Sequence, residues 1–406
     1  MRKLGILGLL VAALTGFAPV GAQDADLATI LAAPLEIERA EPVSSVALAV
    51  RGGKLFIDAV ANGETGEFIL DSGSPTILSR DFAEALGLEV VAHNTGLDAN
   101  GAEVRMDFAI LDTLRIGTVE FHDIPVLIHD FSALDMGACI VGPGILGSEL
   151  FPGSAWRIDT GAGRLSIAAS LDDLPQLDPV VTTHLYDFGY PHAPIVDYTV
   201  GDVTDKALFD TGSEAQVALF ARVAAAPSVQ QVVRPGSVIT GRGHEGESAG
   251  GRGDILTLTR FTLTDFRFDH DSLGAVRATT RAVPPTLVGA GVLASHVVTL
   301  DYPGEQFLLA ARDETEPGDD EAGYSLAFIG DDVRVVQLFD GSGAAGAGLQ
   351  LGDRVSAVSG RSLVVSDDNT KCAIVNWLFD SFDAVQAAEL EIIRDGVTSR
   401  ISIPPH

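Results

Sequence analysis

A chain of 406 residues with 46% hydrophobic content can bury cores in two or three domains rather than one. Its formal net charge of −30, with only four lysines, argues against nucleic acid or an anionic lipid surface as the main partner, because both need a cationic surface. That balance fits a soluble exported protein.

The N-terminus carries Arg2 and Lys3, an apolar run over residues 4–18 and then Val20-Gly21-Ala22, the pattern of a secretory signal cut after Ala22. A signal over residues 1–22 sends the mature protein to the periplasm or the medium. As an uncleaved anchor the run is poor and short, since Gly5, Gly8, Gly16 and Pro19 interrupt it. No later segment is long and apolar enough to cross a bilayer, so no stable membrane span is expected in the mature form.

Residues 23–45, with Pro34 and Pro42, read as a leader or linker with a weak helical patch at 27–33. From 46 to 169 the chain is short strands punctuated by Gly, Asn and Asp, with one helical stretch at 79–87. A linker at 170–183 leads to a second unit of the same design at 184–312. A Gly- and Asp-rich break at 313–322 precedes a separate α+β unit at 323–404. Its strand patterns lie at 324–329, 333–339, 354–358, 390–394 and 400–403, and its helical patterns at 344–349 and 370–379.

The two larger units are organised around one repeated stretch. Phe68-Ile69-Leu70-Asp71-Ser72-Gly73-Ser74 returns as Ala207-Leu208-Phe209-Asp210-Thr211-Gly212-Ser213. An apolar run feeding Asp, hydroxyl, Gly, hydroxyl sets a carboxylate on a tight turn at the end of a buried strand. Thirteen residues before each Asp lies another, since 71 − 58 and 210 − 197 are both 13. Asp58 and Asp197 sit in runs that end in the turns Asn62-Gly63 and Gly201-Asp202, so each motif is the second strand of a β-hairpin. Further on, Leu114 to Gly144 and Phe261 to Gly291 both span 30 residues, while Asp71 to Leu114 is 43 and Asp210 to Phe261 is 51. The eight extra residues fall around 235–254, a Gly-rich polar insert with the composition of a mobile lid; 95–101 is its first-half equivalent.

These residues resemble the aspartic peptidases of retropepsin-like and pepsin-like fold over roughly 46–311. The gate elements Ile140-Val141-Gly142 with Gly144-Ile145-Leu146-Gly147, and Leu287-Val288-Gly289 with Gly291-Val292-Leu293, add to the likeness. The resemblance implies a mainly β, bilobal double-β-barrel fold and polypeptide substrates, with no metal or cofactor. It makes Asp71 and Asp210 the catalytic pair, supported by Ser72, Gly73, Ser74, Thr211, Gly212 and Ser213. Ser72 and Thr211 would cross-brace the loops, and Ser74 and Ser213 would donate to the carboxylates, favouring an acid-leaning pH optimum. Two carboxylates about 3 Å apart cannot both ionise, so they share a proton and activate a water between them. With both halves of the site on one chain, a monomer is expected. Three departures stand out: Ser72 where Thr is commoner, Ala294 where the first gate has Gly147, and no aromatic residue in either flap candidate. The alternative is a catalytically inactive peptide-binding or adaptor protein that uses this cleft together with a peptide groove of the C-terminal unit.

Asp159-Thr160-Gly161 also spells the motif, but its counterpart is Asp301 in a late hairpin, so it reads as a turn residue. Arg252-Gly253-Asp254 reads as chance. The run from Gly341-Ser342-Gly343-Ala344 to Gly352-Asp353-Arg354-Val355, with Ser359-Gly360-Arg361, resembles the bacterial type of PDZ domain. That likeness implies a peptide-binding loop at Gly323, Tyr324, Ser325 and Leu326, a helix at 370–379 as the other wall, and a peptide or protein C-terminus as ligand. Cys139 and Cys372 fall in different units, and both are expected as buried free thiols.

Overall fold

The computed structural model describes residues 29–312 and 322–405. The expected signal segment and nearly all of the 313–322 break lie outside them. Among the described residues no helix is long and apolar enough to cross a membrane.

Both hairpins form as the alternation dictates. Strand Lys54–Ala61 pairs antiparallel with Glu64–Leu70, from Leu55 opposite Leu70 to Ala61 opposite Glu64. The turn between them needs left-handed backbone at Asn62 (φ 46°) and Gly63 (φ 89°), which is why an Asn-Gly pair stands there. In the second unit Ile195–Val200 pairs with Val203–Asp210, Ile195 lying opposite Leu208. Phe68, Ile69, Leu70, Ala207 and Phe209 are all buried, as expected of strands covered on both faces.

A six-stranded antiparallel sheet joins the two units. Its order is Val43–Ala47, Arg164–Ala168, Ala155–Asp159, His296–Asp301, Gln306–Ala311, Val181–Tyr186, three strands from each side. Trp156, fully buried, packs on Phe121 and Phe151 beneath it. Two stretches read as connectors are therefore structural. The leader contributes Val43–Ala47 here and Glu36–Arg39 against Val119–His129, and the interlobe linker runs into Val181–Tyr186. Both are too short and too polar on one face to announce themselves as strands without their partners.

The C-terminal unit has strands Tyr324–Ile329, Asp332–Phe339, Arg354–Val358, Ala388–Arg394 and Val397–Ile403, and helix Asp368–Asp380 capped by Asp367. It is not a free module. Its strand Asp332–Phe339 pairs antiparallel with Ile239–Gly243 of the Gly-rich insert, Gly241 lying opposite Phe339. Its Phe328, Ile374 and Phe379 share one apolar core with Phe56, Met136 and Ile140 of the first lobe. Cys139 and Cys372 are not free thiols: they form a disulfide between the short helix Gly137–Ile140 and helix Asp368–Asp380. Domain separation in sequence hid a contact that only docking of the two units creates.

Candidate active site

The two Asp loops meet at the seam between the lobes. Ile145 and Leu146 run parallel beside Ile69 and Leu70, and the Asp71 N–H donates to the Leu146 carbonyl at 2.9 Å. In the second lobe Thr286–Gly289 runs parallel beside Ala207–Asp210 in the same way. Each carboxylate thus leaves the end of a strand held on two sides.

Ser72 and Thr211 clasp the loops reciprocally. The Ser72 amide donates to Thr211 Oγ1 at 2.9 Å and the Thr211 amide to Ser72 Oγ at 3.0 Å. Each hydroxyl then donates across to the opposite strand, Ser72 Oγ to the Phe209 carbonyl and Thr211 Oγ1 to the Leu70 carbonyl, both at 2.8 Å. All of these groups are buried, so none has water as a substitute. The hydroxyl is what the clasp needs, and serine supplies it as well as threonine. Thr211→Val, which keeps the shape and leaves a buried amide and carbonyl unpaired, is expected to cost roughly 2–4 kcal/mol of stability, read by denaturant unfolding.

The carboxylates point at one another. Gly73 donates to Asp71 Oδ1 at 2.9 Å, and Gly212 to Asp210 Oδ1 at 2.8 Å. A Cβ at Gly73 would land on the Asp210 carboxylate and one at Gly212 on that of Asp71, so each turn leans on the other lobe's acid. Both side chains are buried, and the second oxygens, Asp71 Oδ2 and Asp210 Oδ2, accept no hydrogen bond from the described residues. Two such acceptors become partners only by sharing a proton. Burial pushes the Asp71 carboxyl up to about 6. Burial, and then the charge of Asp71, raise Asp210 well above the usual carboxylate range.

Ser74 and Ser213 do not donate to the aspartates. The Ser74 hydroxyl donates to the Pro75 carbonyl at 2.7 Å, and Ser213 Oγ sits against Gly289, where a Cβ would come within 3.0 Å of it. The amides of Gly73 and Gly212, rather than these hydroxyls, donate to the carboxylates. The gate elements also need realignment. The strand beside each Asp loop is Gly144–Leu146 in one lobe and Thr286–Gly289 in the other, so the partner of Gly147 is Gly289 rather than Ala294. Both glycines press on backbone just after their own Asp loop, where a Cβ has no room. Loop lengths after Asp71 and Asp210 differ, which shifts any count made from the motif.

Three buried charged groups near the Asp loops belong to no motif. Lys54, fully buried, donates to the Gly212 carbonyl and lies 3.6 Å from Glu214. Arg281, also buried, reaches the Ala99 carbonyl at 3.5 Å, while its Nη1 has no partner among the described residues. Glu149 accepts from the Thr76 amide at 2.9 Å and from its hydroxyl beneath the first loop; burial pushes its carboxyl up to about 7. Lys54 opens strand Lys54–Ala61, Arg281 ends strand Val276–Arg281 and Glu149 lies in the 3-10 turn Ser148–Leu150, so no shared sequence pattern announces them.

The two flap candidates grip each other, and Arg281 reaches the first of them at Ala99. Asp98 Oδ1 caps the amides of Asn100 and Ala102, and Asp98 Oδ2 accepts from Gly250 of the insert at 2.9 Å. Asn100 Nδ2 donates to the Gly251 carbonyl at 3.2 Å. The insert is anchored in turn, with Glu247 accepting from the Asp135 and Met136 amides and Arg252 donating to the Phe328 carbonyl at 3.0 Å. Arg252 thus has a structural role within Arg252-Gly253-Asp254. Asp159 accepts from Gly161 and Ala162 in its own turn and pairs with Arg312, far from the cleft in sequence and sheet position.

The loop expected to receive a peptide terminus is covered. Gly323, Tyr324, Ser325 and Leu326 are all buried; the Gly323 carbonyl accepts from the Phe339 amide, and Ser325 Oγ donates to Gln337 at 3.2 Å. Among the described residues, no group of His, Cys, Asp and Glu is arranged to hold a metal ion.

Residues 57–150 match the family model described as aspartyl protease. The match takes in the Asp71 loop and the Gly144–Leu146 strand, and ends before the second lobe begins. No curated protein matches the chain. The first lobe is an aspartic-peptidase-like domain in a mainly β structure.

Proposed function

We propose that the protein is an exported aspartic-type endopeptidase whose two lobes, on one chain, supply Asp71 and Asp210 to a single site. The observation that carries this reading is the reciprocal Ser72–Thr211 clasp, which holds two buried carboxylates face to face with one oxygen of each unpartnered among the described residues. A pair so arranged holds one proton between two acids. The ionised member takes a proton from a water molecule as that water attacks the peptide carbonyl carbon. The protonated member hydrogen-bonds the carbonyl oxygen, giving up its proton as the tetrahedral diol forms. The proton taken from water then passes to the leaving amine, which departs as the C–N bond breaks, while the second acid recovers a proton from a diol hydroxyl and leaves the carboxylic acid product. An unfolded polypeptide fits this site better than a folded one, since the substrate must lie extended beneath two flaps.

The disulfide supports export, because such bonds persist in oxidising compartments. The C-terminal unit resembles a PDZ domain, but with Gly323–Leu326 buried we assign it a role in holding the lid rather than in capturing a peptide terminus. The interlocked flaps are the one observation that favours the silent peptide-binding alternative. Incubation with unfolded casein, with and without pepstatin, separates the two: pepstatin-sensitive fragments are expected, and intact casein at every pH tested counts against the peptidase.

The pH profile follows from burial. With Asp71 raised to about 6 and Asp210 also raised by burial and by the charge of Asp71, the pair is doubly protonated in acid and has no base. Activity is therefore expected to rise through about pH 6 toward neutrality, not to peak in acid as hydroxyl donation from Ser74 and Ser213 would have favoured. The measurement is kcat/KM against pH; a maximum below pH 4 would contradict it.

A further inference from the structure

Lys54 stands where the symmetry of the two lobes calls for a neutral residue. Continuing each ladder, one step beyond Leu55 opposite Leu70 brings Lys54 opposite Asp71, and two steps beyond Ile195 opposite Leu208 bring Ala193 opposite Asp210. The lysine is 0% exposed, a costly setting for an ammonium group unless its charge is used. It reaches across the seam, donating to the carbonyl of Gly212, the residue whose amide holds Asp210 and whose Cα presses on Asp71.

The turn that carries it is fixed from outside the lobe. Gly52 (φ 51°) and Gly53 (φ 81°) make the tight turn of the Ala49–Arg51 and Lys54–Ala61 hairpin. A Cβ at Gly52 would enter the ring of Phe379 on helix Asp368–Asp380, and one at Gly53 would come 2.7 Å from Glu214 Cγ. Phe379 also meets Phe56 edge to face at 6.4 Å, on the same strand as Lys54. The hairpin that carries the cation is thus braced between the second Asp loop and helix Asp368–Asp380.

We propose that Lys54 is a positioning residue for the aspartate pair, the buried cation that keeps one of the two carboxyls ionised, and that the C-terminal helix holds it there through Phe379. Its catalytic consequence rests on the peptidase reading. Its electrostatic consequence does not. The charged groups facing the pair are Lys54 and Arg281, backed respectively by Glu214 and Glu245. Two acids shielded from water favour the doubly protonated state, and a cation in the wall restores the singly ionised one that a general base requires.

The test is a carboxyl 13C NMR titration of the full chain, run beside the pH profile of kcat/KM. Lys54→Met is expected to raise the pair's lower midpoint by about one unit or more, while Lys54→Arg stays near the wild type. Glu214→Gln, which frees Lys54 of its counter-charge, is expected to lower it. Phe379→Ala is expected to raise it part of the way. A lysine that served only to tie the lobes together would make the Met and Gln variants move alike or not at all, and either result overturns the proposal. Should Lys54→Met not fold, the opposed signs for Glu214→Gln and Phe379→Ala still decide it. Midpoints that move as expected in a protein that cuts no peptide leave this inference standing and remove the peptidase reading.

Discussion

Asp71→Asn is expected to abolish peptide hydrolysis, lowering kcat/KM by about 10³-fold or more, with the chain still folded. Asparagine can accept the Gly73 amide but cannot take a proton from water, so the loss lies in chemistry rather than architecture. Stability gives the control. A carboxyl whose folded pKa stands at about 6, above its ordinary value, stabilises the fold fully only below that ordinary value, and the contribution is lost as pH rises through 6. The substituted protein is therefore expected to melt no lower than the wild type at pH 8, and to show a flatter dependence of Tm on pH between 4 and 8. Asp210→Asn should behave likewise. A variant that still cleaves casein at a tenth of the wild-type rate would remove these residues from the mechanism.

Breaking the Cys139–Cys372 bond is expected to have the largest effect on stability. It closes a span of 233 residues, which in the chain-entropy view contributes up to about 5 kcal/mol. For a protein of this size that corresponds to a fall in Tm of roughly 10 °C under reductant or in a Cys139→Ser, Cys372→Ser variant. The consequence should reach the cleft. Helix Asp368–Asp380 and strand Asp332–Phe339 belong to one unit, and that strand is the neighbour of Ile239–Gly243 in the Gly-rich insert. Hydrogen exchange at 239–254 is expected to quicken, and cleavage of an unfolded substrate to accelerate as the flaps part. Unchanged exchange there, with an unchanged Tm, would mean that the bond carries no such tension between the units.

Sequence alone was enough for whatever is encoded locally and written twice. The hairpins ending at Asp71 and Asp210, the turn glycines, the helix beginning near Arg80 and the strands of the C-terminal unit follow from alternation, turn chemistry and repetition, which a chain carries whatever it packs against. Only the tertiary structure decided which groups meet. Lys54 looks like one cation in a strand until the seam brings Gly212 and Glu214 to it, and residues 36–47 look like a leader until neighbouring strands offer them an edge. The hydroxyl of Ser74 donates to the Pro75 carbonyl instead of to Asp71, a choice set by how the folded loop turns it. Cys139 found Cys372 for the same reason that the flaps found each other: proximity across hundreds of residues is set by how apolar faces dock, and no spacing in the chain records it.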